Sequence, residues 1–316
     1  MGNRLEGKVA VVSGGGRGIG RAVALLLAEE KASVVVNDLG CEVDGTGSSH
    51  EPAEGVVAEI ARKGGKAVAS YQDTSTMAGG EAVVQKAMDT YGRLDILVNS
   101  AGVRQDRMIF QMRPDEWDAV IRNTLKAAFT TTRCACIVMR QQRSGRIVNV
   151  TGDAGLGGIG MSNQAAASEG VIGLTRTVAR DMGRYGVTCN AVSAMAKTRL
   201  FSGTVEMYRA SGARPTPDQR AGIGVPEPRD AWSGPGSPDD PERVATLVAY
   251  LCTDGAPNAN GYVFGVRGGD IYVYTNPEIE RSISKRGMFT LDELDDLVPR
   301  TISQDMRNWA RFRNAR

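Results

Sequence analysis

The chain carries a single histidine, His50, and no tyrosine followed four residues later by a lysine. One imidazole, set in a polar loop, leaves almost nothing from which to build a histidine zinc site or a Ser-His-Asp arrangement. Five cysteines, Cys41, Cys134, Cys136, Cys189 and Cys252, include no C-x-x-C pair, and their odd number argues against a full disulfide framework. That usage suits a reducing cytosol, so a cytoplasmic location is expected. No stretch reaches the roughly 18 consecutive apolar residues that a membrane-spanning helix needs. The opening MGNRLEGKVAVVSG has no apolar targeting core, and Glu6 stands where a myristoylation signal wants Ser or Thr. A net charge of +2, with arginines scattered rather than clustered, leaves no footprint for nucleic acid or a membrane surface.

What is present suffices for one large α/β domain plus a tail: 316 residues, 41% hydrophobic and 23% charged. Lys8 to Val12 is an apolar run of strand length, followed by the turn Ser13-Gly-Gly-Gly-Arg-Gly-Ile-Gly20 and by helical periodicity over Arg21 to Glu30. In that setting the glycines let backbone approach a pyrophosphate, and the helix N-terminus offers unpaired N–H groups and a positive dipole end. Ser33 to Asn37 is a second strand with Asp38 at its carboxyl end. An acidic side chain there accepts hydrogen bonds from ribose hydroxyls and repels a 2′-phosphate, the plainer alternative being a loop cap.

Further strands are expected over Lys66 to Tyr71, Leu94 to Asn99, Ile147 to Thr151, Val187 to Val192 and Tyr262 to Val266. Helices are expected over Ala53 to Lys63, Glu116 to Thr132, Ala165 to Met182 (interrupted by Gly170 and Gly173) and Pro241 to Cys252, the last opened by Asp240 as N-cap. Residues 201–240 lose periodicity among Pro, Gly and charges, and Phe201, Met207, Tyr208 and Trp232 there offer apolar contact. Thr290-Leu-Asp-Glu has the form of a capping box. Asn149-Val-Thr151 matches a glycosylation acceptor but falls in the expected central strand.

These motifs together resemble the short-chain dehydrogenases/reductases over roughly residues 5–270. Ser13, Gly14, Gly18 and Gly20 match the family's T-G-x-x-x-G-x-G, with Arg17 and Ile19 inside it. Asp38 takes the ribose position, Asp73 and Thr74 the place that contacts adenine, and Asn99, Ala101 and Gly102 match N-N-A-G with Ser100 as a departure. The run VVVNDLG…VDGTG is similar to the subgroup of multifunctional β-oxidation and hydroxysteroid dehydrogenases. The resemblance implies a Rossmann-type doubly wound parallel sheet in a single domain, residues 1–270, with a substrate lid at about 201–240. It also implies a C-terminal extension, 271–316, packed on the core or a neighbouring subunit, and NAD as cofactor. The nicotinamide pocket is altered, since Ala194-Met195 stands in place of Pro-Gly, with Thr198 near the position of a carboxamide-contacting Thr.

The same resemblance locates a catalytic set and shows it replaced. The family uses Tyr-x-x-x-Lys on a helix, where the lysine charge lowers the tyrosine pKa, together with a Ser at the end of the preceding strand. The matching positions hold Gln164, Ser168 and Gly152, while the family's Asn falls on Thr124 and Asn123 lies one position early. An amide does not titrate, a serine carries no charge, and glycine has no side chain. The resemblance therefore implies an NAD-binding, non-catalytic subunit in a homo- or hetero-oligomer with an active paralogue, with a hydrophobic small molecule as a possible ligand. Two alternatives stand beside it. One is an NAD-dependent oxidoreductase on a hydrophobic alcohol or ketone, steroid- or acyl-CoA-like, using non-standard residues such as Asp153, Ser162 or Lys197. The other is a cofactor-independent lyase, cyclase or isomerase with Asp153 or another carboxylate as base.

Overall fold

Short runs rich in Val, Ile and Ala form the strands, and alternation along each decides which face of the sheet a residue joins. The computed structural model describes residues 2–201 and 240–306, in two compact units, Met1–Tyr274 and Thr275–Arg316. The first holds β1 (Val9–Ser13), β2 (Ser33–Asn37), β3 (Lys66–Ser70), β4 (Ile96–Asn99), β5 (Gly145–Thr151), β6 (Val187–Met195), β7 (Val263–Arg267) and β8 (Asp270–Val273). They lie in the order β3-β2-β1-β4-β5-β6-β7-β8. The first seven are parallel, as expected; β8 is an antiparallel addition on β7. Asp270–Val273 thus belongs to the sheet, and the second unit starts at Thr275 rather than at 271.

Two hydrophobic layers sandwich the sheet. Ala10 and Val12 of β1 and Val34 and Val36 of β2 face α1 (Gly18–Glu29), α2 (Glu51–Arg62) and α7 (Pro241–Leu251). Val9, Val11 and Val35 face α3 (Met77–Tyr91), α5 (Ala127–Gln142) and α6 (Ser162–Gly183). Both faces of the central strands are therefore covered, which is why these strands read as continuous apolar runs. Asp240 occupies the N-cap position of α7, but its side chain makes no capping bond.

The helix expected over Glu116 to Thr132 is longer and less regular: α4 (Pro114–Val120), a π-helical stretch Ile121–Lys126, then α5. The glycines expected to interrupt α6 do not. A methyl group at Gly170 would stand 2.6 Å from Leu125 Cδ2, so this glycine admits the close approach of the π-helical stretch. β6 runs on to Met195, which makes Ala194 and Met195 a strand end rather than a loop.

A buried polar cluster ties the layers together. Asn99 Nδ2 donates to Asn149 Oδ1 (2.8 Å) and to Thr132 Oγ1 (3.0 Å), while Asn99 Oδ1 accepts from Thr131 Oγ1 (2.7 Å) and, at 3.4 Å, from Ser13 Oγ. Asn149, fully buried, donates onward to Thr175 Oγ1 of α6 (2.8 Å). That burial disposes of the glycosylation match.

In the second unit, Thr290 Oγ1 accepts from Glu293 N and the Glu293 carboxylate accepts from Thr290 N, opening α8 (Leu291–Arg300) with the capping box expected from sequence. The proposed lid, with Met207, Tyr208 and Trp232, lies outside the described residues. Among the described residues no helix is long and apolar enough to cross a membrane.

Asn99→Ala strands Thr132 Oγ1 and Asn149 Oδ1 at once, leaves Thr131 to the carbonyls of Ala127 and Ala128, and is expected to cost on the order of 3 kcal/mol in urea denaturation. Ser13→Ala breaks only the long bond and should cost less than about 1 kcal/mol.

Candidate functional site

The order of strands reverses between β1 and β4, and a crevice opens beyond their carboxyl ends, as open α/β sheets require. Its floor is the glycine turn. Gly14 (φ +68°) and Gly18 (φ +53°) are left-handed, and a methyl group on Gly14 would meet Ala101 N at 2.6 Å. On Gly20 it would lie 2.1 Å from Gly14 O. The turn after β1 thereby rests directly on the turn after β4, and α1 begins with no side chain capping its first amides.

One wall comes from the β2 loop. Asp38 Oδ2 accepts from Gly16 N (2.8 Å) and Oδ1 from Gly40 N (2.7 Å), so the carboxylate fastens the glycine turn to this loop. Arg17 Nη1 and Arg199 Nη2 each donate to the Cys41 carbonyl at 2.9 Å, joining residues far apart in sequence across the crevice. Burial raises the Cys41 thiol, with the Arg199 charge opposing it. Asp73 Oδ1 accepts from Ser75 N (2.9 Å), and the Thr74 carbonyl accepts from Thr130.

A cavity of about 250 Å³ runs from Asp38 to Gln164. Gly14, Arg17, Gly18, Ile19, Asp38, Asp73, Thr74, Ala101, Gly102, Thr124, Gly152 and Gln164 line it. Ser13, Gly20, Asn99 and Ser168 do not. Ser13 and Asn99 are spent in the buried cluster, Gly20 packs on Gly14, and Ser168 is fully buried inside α6. On a regular helix Asn123, one position early, would point about 100° away from Thr124, yet both line the cavity, with Asn123 Nδ2 donating to Ala119 O of α4 (2.8 Å).

The far end is held from outside. Asn163 Nδ2 donates to the carbonyls of Gln105 (2.8 Å) and Glu116 (3.2 Å), and Asn163 Oδ1 accepts from Gln164 N (2.7 Å), which orients the first turn of α6. Glu116 is itself buried, and the Arg107 guanidinium, helped by Arg113, holds its carboxyl below the usual range. A methyl group on Gly152 would find nothing nearer than Ala154 N at 4.0 Å, so its place is open. Gln164 Oε1, Ser168 Oγ, Thr124 Oγ1 and Thr151 Oγ1 are buried without a hydrogen-bond partner. Asp153 lines the same end, and burial raises its carboxyl above the ordinary range, with the charges of Arg267 and Arg104 opposing.

Sequence reasoning did not bring out Arg199, Cys41, Asn163 or Met161 as parts of this site. Arg199 and Cys41 meet through a backbone carbonyl, which leaves no residue-type signature. Asn163 was flagged by nothing but its place beside Gln164.

The sequence pattern described as short chain dehydrogenase matches residues 8–208. The chain belongs to that family. Hydroxyacyl-CoA dehydrogenase ChsB1 of Mycobacterium tuberculosis is 37% identical over 292 residues, covering 90% of this chain and 84% of the relative. Peroxisomal multifunctional enzyme type 2 of Mus musculus is 36% identical over 267 residues, which is 84% of this chain but only 32% of that enzyme. Among solved structures, a short chain dehydrogenase from Mycobacterium avium superposes with a TM-score of 0.77 at 35% identity, over 95% of this chain and 96% of that one. The family binds NAD(P), and the glycine turn, where added methyl groups would meet backbone, has the close approach that a pyrophosphate needs.

A carboxyl raised by burial destabilises the fold once it ionises: its favourable, protonated contribution is present at low pH and is lost as pH rises through the folded-state pKa. Asp153→Asn is therefore expected to raise the melting temperature at neutral pH. The gain should vanish below the ordinary carboxylate range, as followed by thermal melts across pH.

Proposed function

We propose that this short chain dehydrogenase is an NAD-binding subunit that transfers no hydride by the family's Ser-Tyr-Lys route and works beside an active relative of itself. The observation that carries the reading is the occupancy of three positions: Gly152 and Gln164 face the cavity, and Ser168 is sealed behind it with 0% exposure. A bound nicotinamide supplies a hydride acceptor or donor; the partner chemistry is a titrating group at the substrate oxygen, and the amide of Gln164 offers none. Ser168, neutral and buried, lowers no neighbour's pKa. Removing one member of a concerted catalytic set already forfeits most of its rate.

The dinucleotide half fares differently. The glycine turn, the α1 N-terminus and the Arg17 charge suit a pyrophosphate, and Asp38 at the end of β2 suits an unphosphorylated ribose. Leu39, Val103, Met161 and Met195 give the cavity apolar walls fit for a hydrophobic small molecule.

Titration calorimetry is expected to show NAD binding, with NADP at least about tenfold weaker and Asp38→Ala closing that gap. Equal affinities would remove the role given to Asp38; no binding of either would remove the reading. Native mass spectrometry of the complex from its own source is expected to find a mixed assembly with a homologue bearing Tyr-x-x-x-Lys. Gly152→Ser, Gln164→Tyr and Ser168→Lys, made together, should restore NAD-dependent turnover; persistent inactivity counts against loss of the catalytic set as the whole difference.

A further inference from the structure

The chain between β2 and α2 leaves the sheet and returns to where it started. Ser49 N donates to the Leu39 carbonyl (3.0 Å), and a methyl group on Gly40 would stand 1.9 Å from Ser49 O, so residues 40–48 form a compact excursion pinched at its base. Within it Glu42 N donates to Thr46 O (2.7 Å) and Thr46 N to Asp44 Oδ1 (2.9 Å), which makes the tip a folded unit. Cys41, Val43 and Gly45 are half-buried while Glu42, Asp44 and Thr46 between them are exposed. One face of the excursion is therefore laid on the protein.

Beneath that face lies the crevice. In the sheet β1, whose end carries the glycine turn, separates β2 from β4, and the excursion crosses from one side to the other. Arg104 N donates to Val43 O (2.8 Å) and Gln105 Nε2 to Asp44 O (2.8 Å), both from the loop after β4. A methyl group on Gly45 would lie 3.3 Å from Asn123 Nδ2 and 3.4 Å from Val103 Cγ1. From the opposite side Arg199, beyond β6, reaches the same Cys41 carbonyl that Arg17 holds. Leu39 and Cys41 line the cavity below.

We propose that residues 40–48 are a strap that closes the crevice over a bound dinucleotide, so that NAD enters and leaves only when the strap lifts from the loop after β4. Four described hydrogen bonds hold it down, and all end on its main-chain carbonyls. The two from the loop after β4 are neutral pairs, each favouring the closed arrangement by roughly two- to tenfold. The apolar seal is small, Cys41 packing on the cluster of Val103, Val120 and Ala167. A segment fastened in this way opens far more often than the sheet beneath it unfolds. The inference rests on the dinucleotide reading and concerns exchange: the ties at the tip join protein to protein, so loosening them changes how fast the nucleotide moves more than how tightly it is held.

The test uses the full chain and two variants. Gln105→Ala removes the donor to Asp44 and lies outside the cavity lining. Gly45→Val lifts the tip, because φ of +93° and the neighbours Asn123 and Val103 both resist a branched side chain. Stopped-flow exchange of NAD against its fluorescent etheno analogue is expected to show association and dissociation both faster, by about three- to tenfold in Gln105→Ala and by more in Gly45→Val, with Kd moved less than about twofold. Without nucleotide, alkylation of the Cys41 thiol by iodoacetamide, read from its peptide by mass, should accelerate in the same order. NAD exchange and Cys41 alkylation both unchanged in the two variants overturn the strap, as does faster dissociation matched by an equal loss of affinity, which marks a lost contact and not an opened gate. Absence of NAD binding, with Cys41 alkylation accelerated in both variants, overturns the dinucleotide reading and the strap's occupant while leaving the closure itself standing.

Discussion

Asn99 lies where β1, β4 and β5 run side by side, and both polar atoms of its amide are committed to neighbours on β5 and α5. Inside a covered parallel sheet an amide left partly unpaired is costly, so these partners fix the depth at which the strands end relative to one another. The carboxyl ends of β1 and β4 then come level, and Gly14 can rest on Ala101. The crevice is the space that this alignment leaves open. Ser13 and Asn99, which look like cofactor ligands in the sequence, serve the crevice from behind, as its frame.

The fold was legible because its signals are local and repeated. Apolar runs of five residues followed by helical periodicity specify parallel strands with crossover helices, and the glycine turn says where the first crossover begins. The Thr290 capping box was legible for the same reason, since its donors and acceptors sit three residues apart. What escaped depends on pairing between distant segments. β8 is a strand only because β7 offers it an edge, and its four residues are all exposed, so no burial pattern marks it. The convergence of Arg17 and Arg199 on one carbonyl was likewise invisible, because a backbone acceptor is the same at every position.

The candidate site divides along the same line. Residue types at Gly152, Gln164 and Ser168 showed which chemistry is missing, because side-chain identity alone settles what can titrate. Which hydroxyls are stranded in its place could not be read from types, since Thr124 and Thr151 are unremarkable until burial removes water from them. The family's lysine charge has no counterpart at its own position. Where the family carries a lysine, Ser168 is wholly enclosed, and Gly170, two residues on in the same helix, lets Leu125 close in.

The π-helical stretch Ile121–Lys126 brings two successive side chains, Asn123 and Thr124, to one cavity. A helix carrying such a bulge holds one residue more than its length requires, so the numbering of everything upstream is offset by one from everything downstream. Alignment to a relative that differs in the bulge has no unique answer here: the two registers are equally faithful, each to a different half of the helix. Evolution can therefore exchange the residue presented to the cavity by deleting or inserting within this turn, without replacing any side chain. Thr130, Thr131 and Thr132 set the limit on such slippage, because their hydroxyl contacts anchor the downstream half to the sheet and to Thr74.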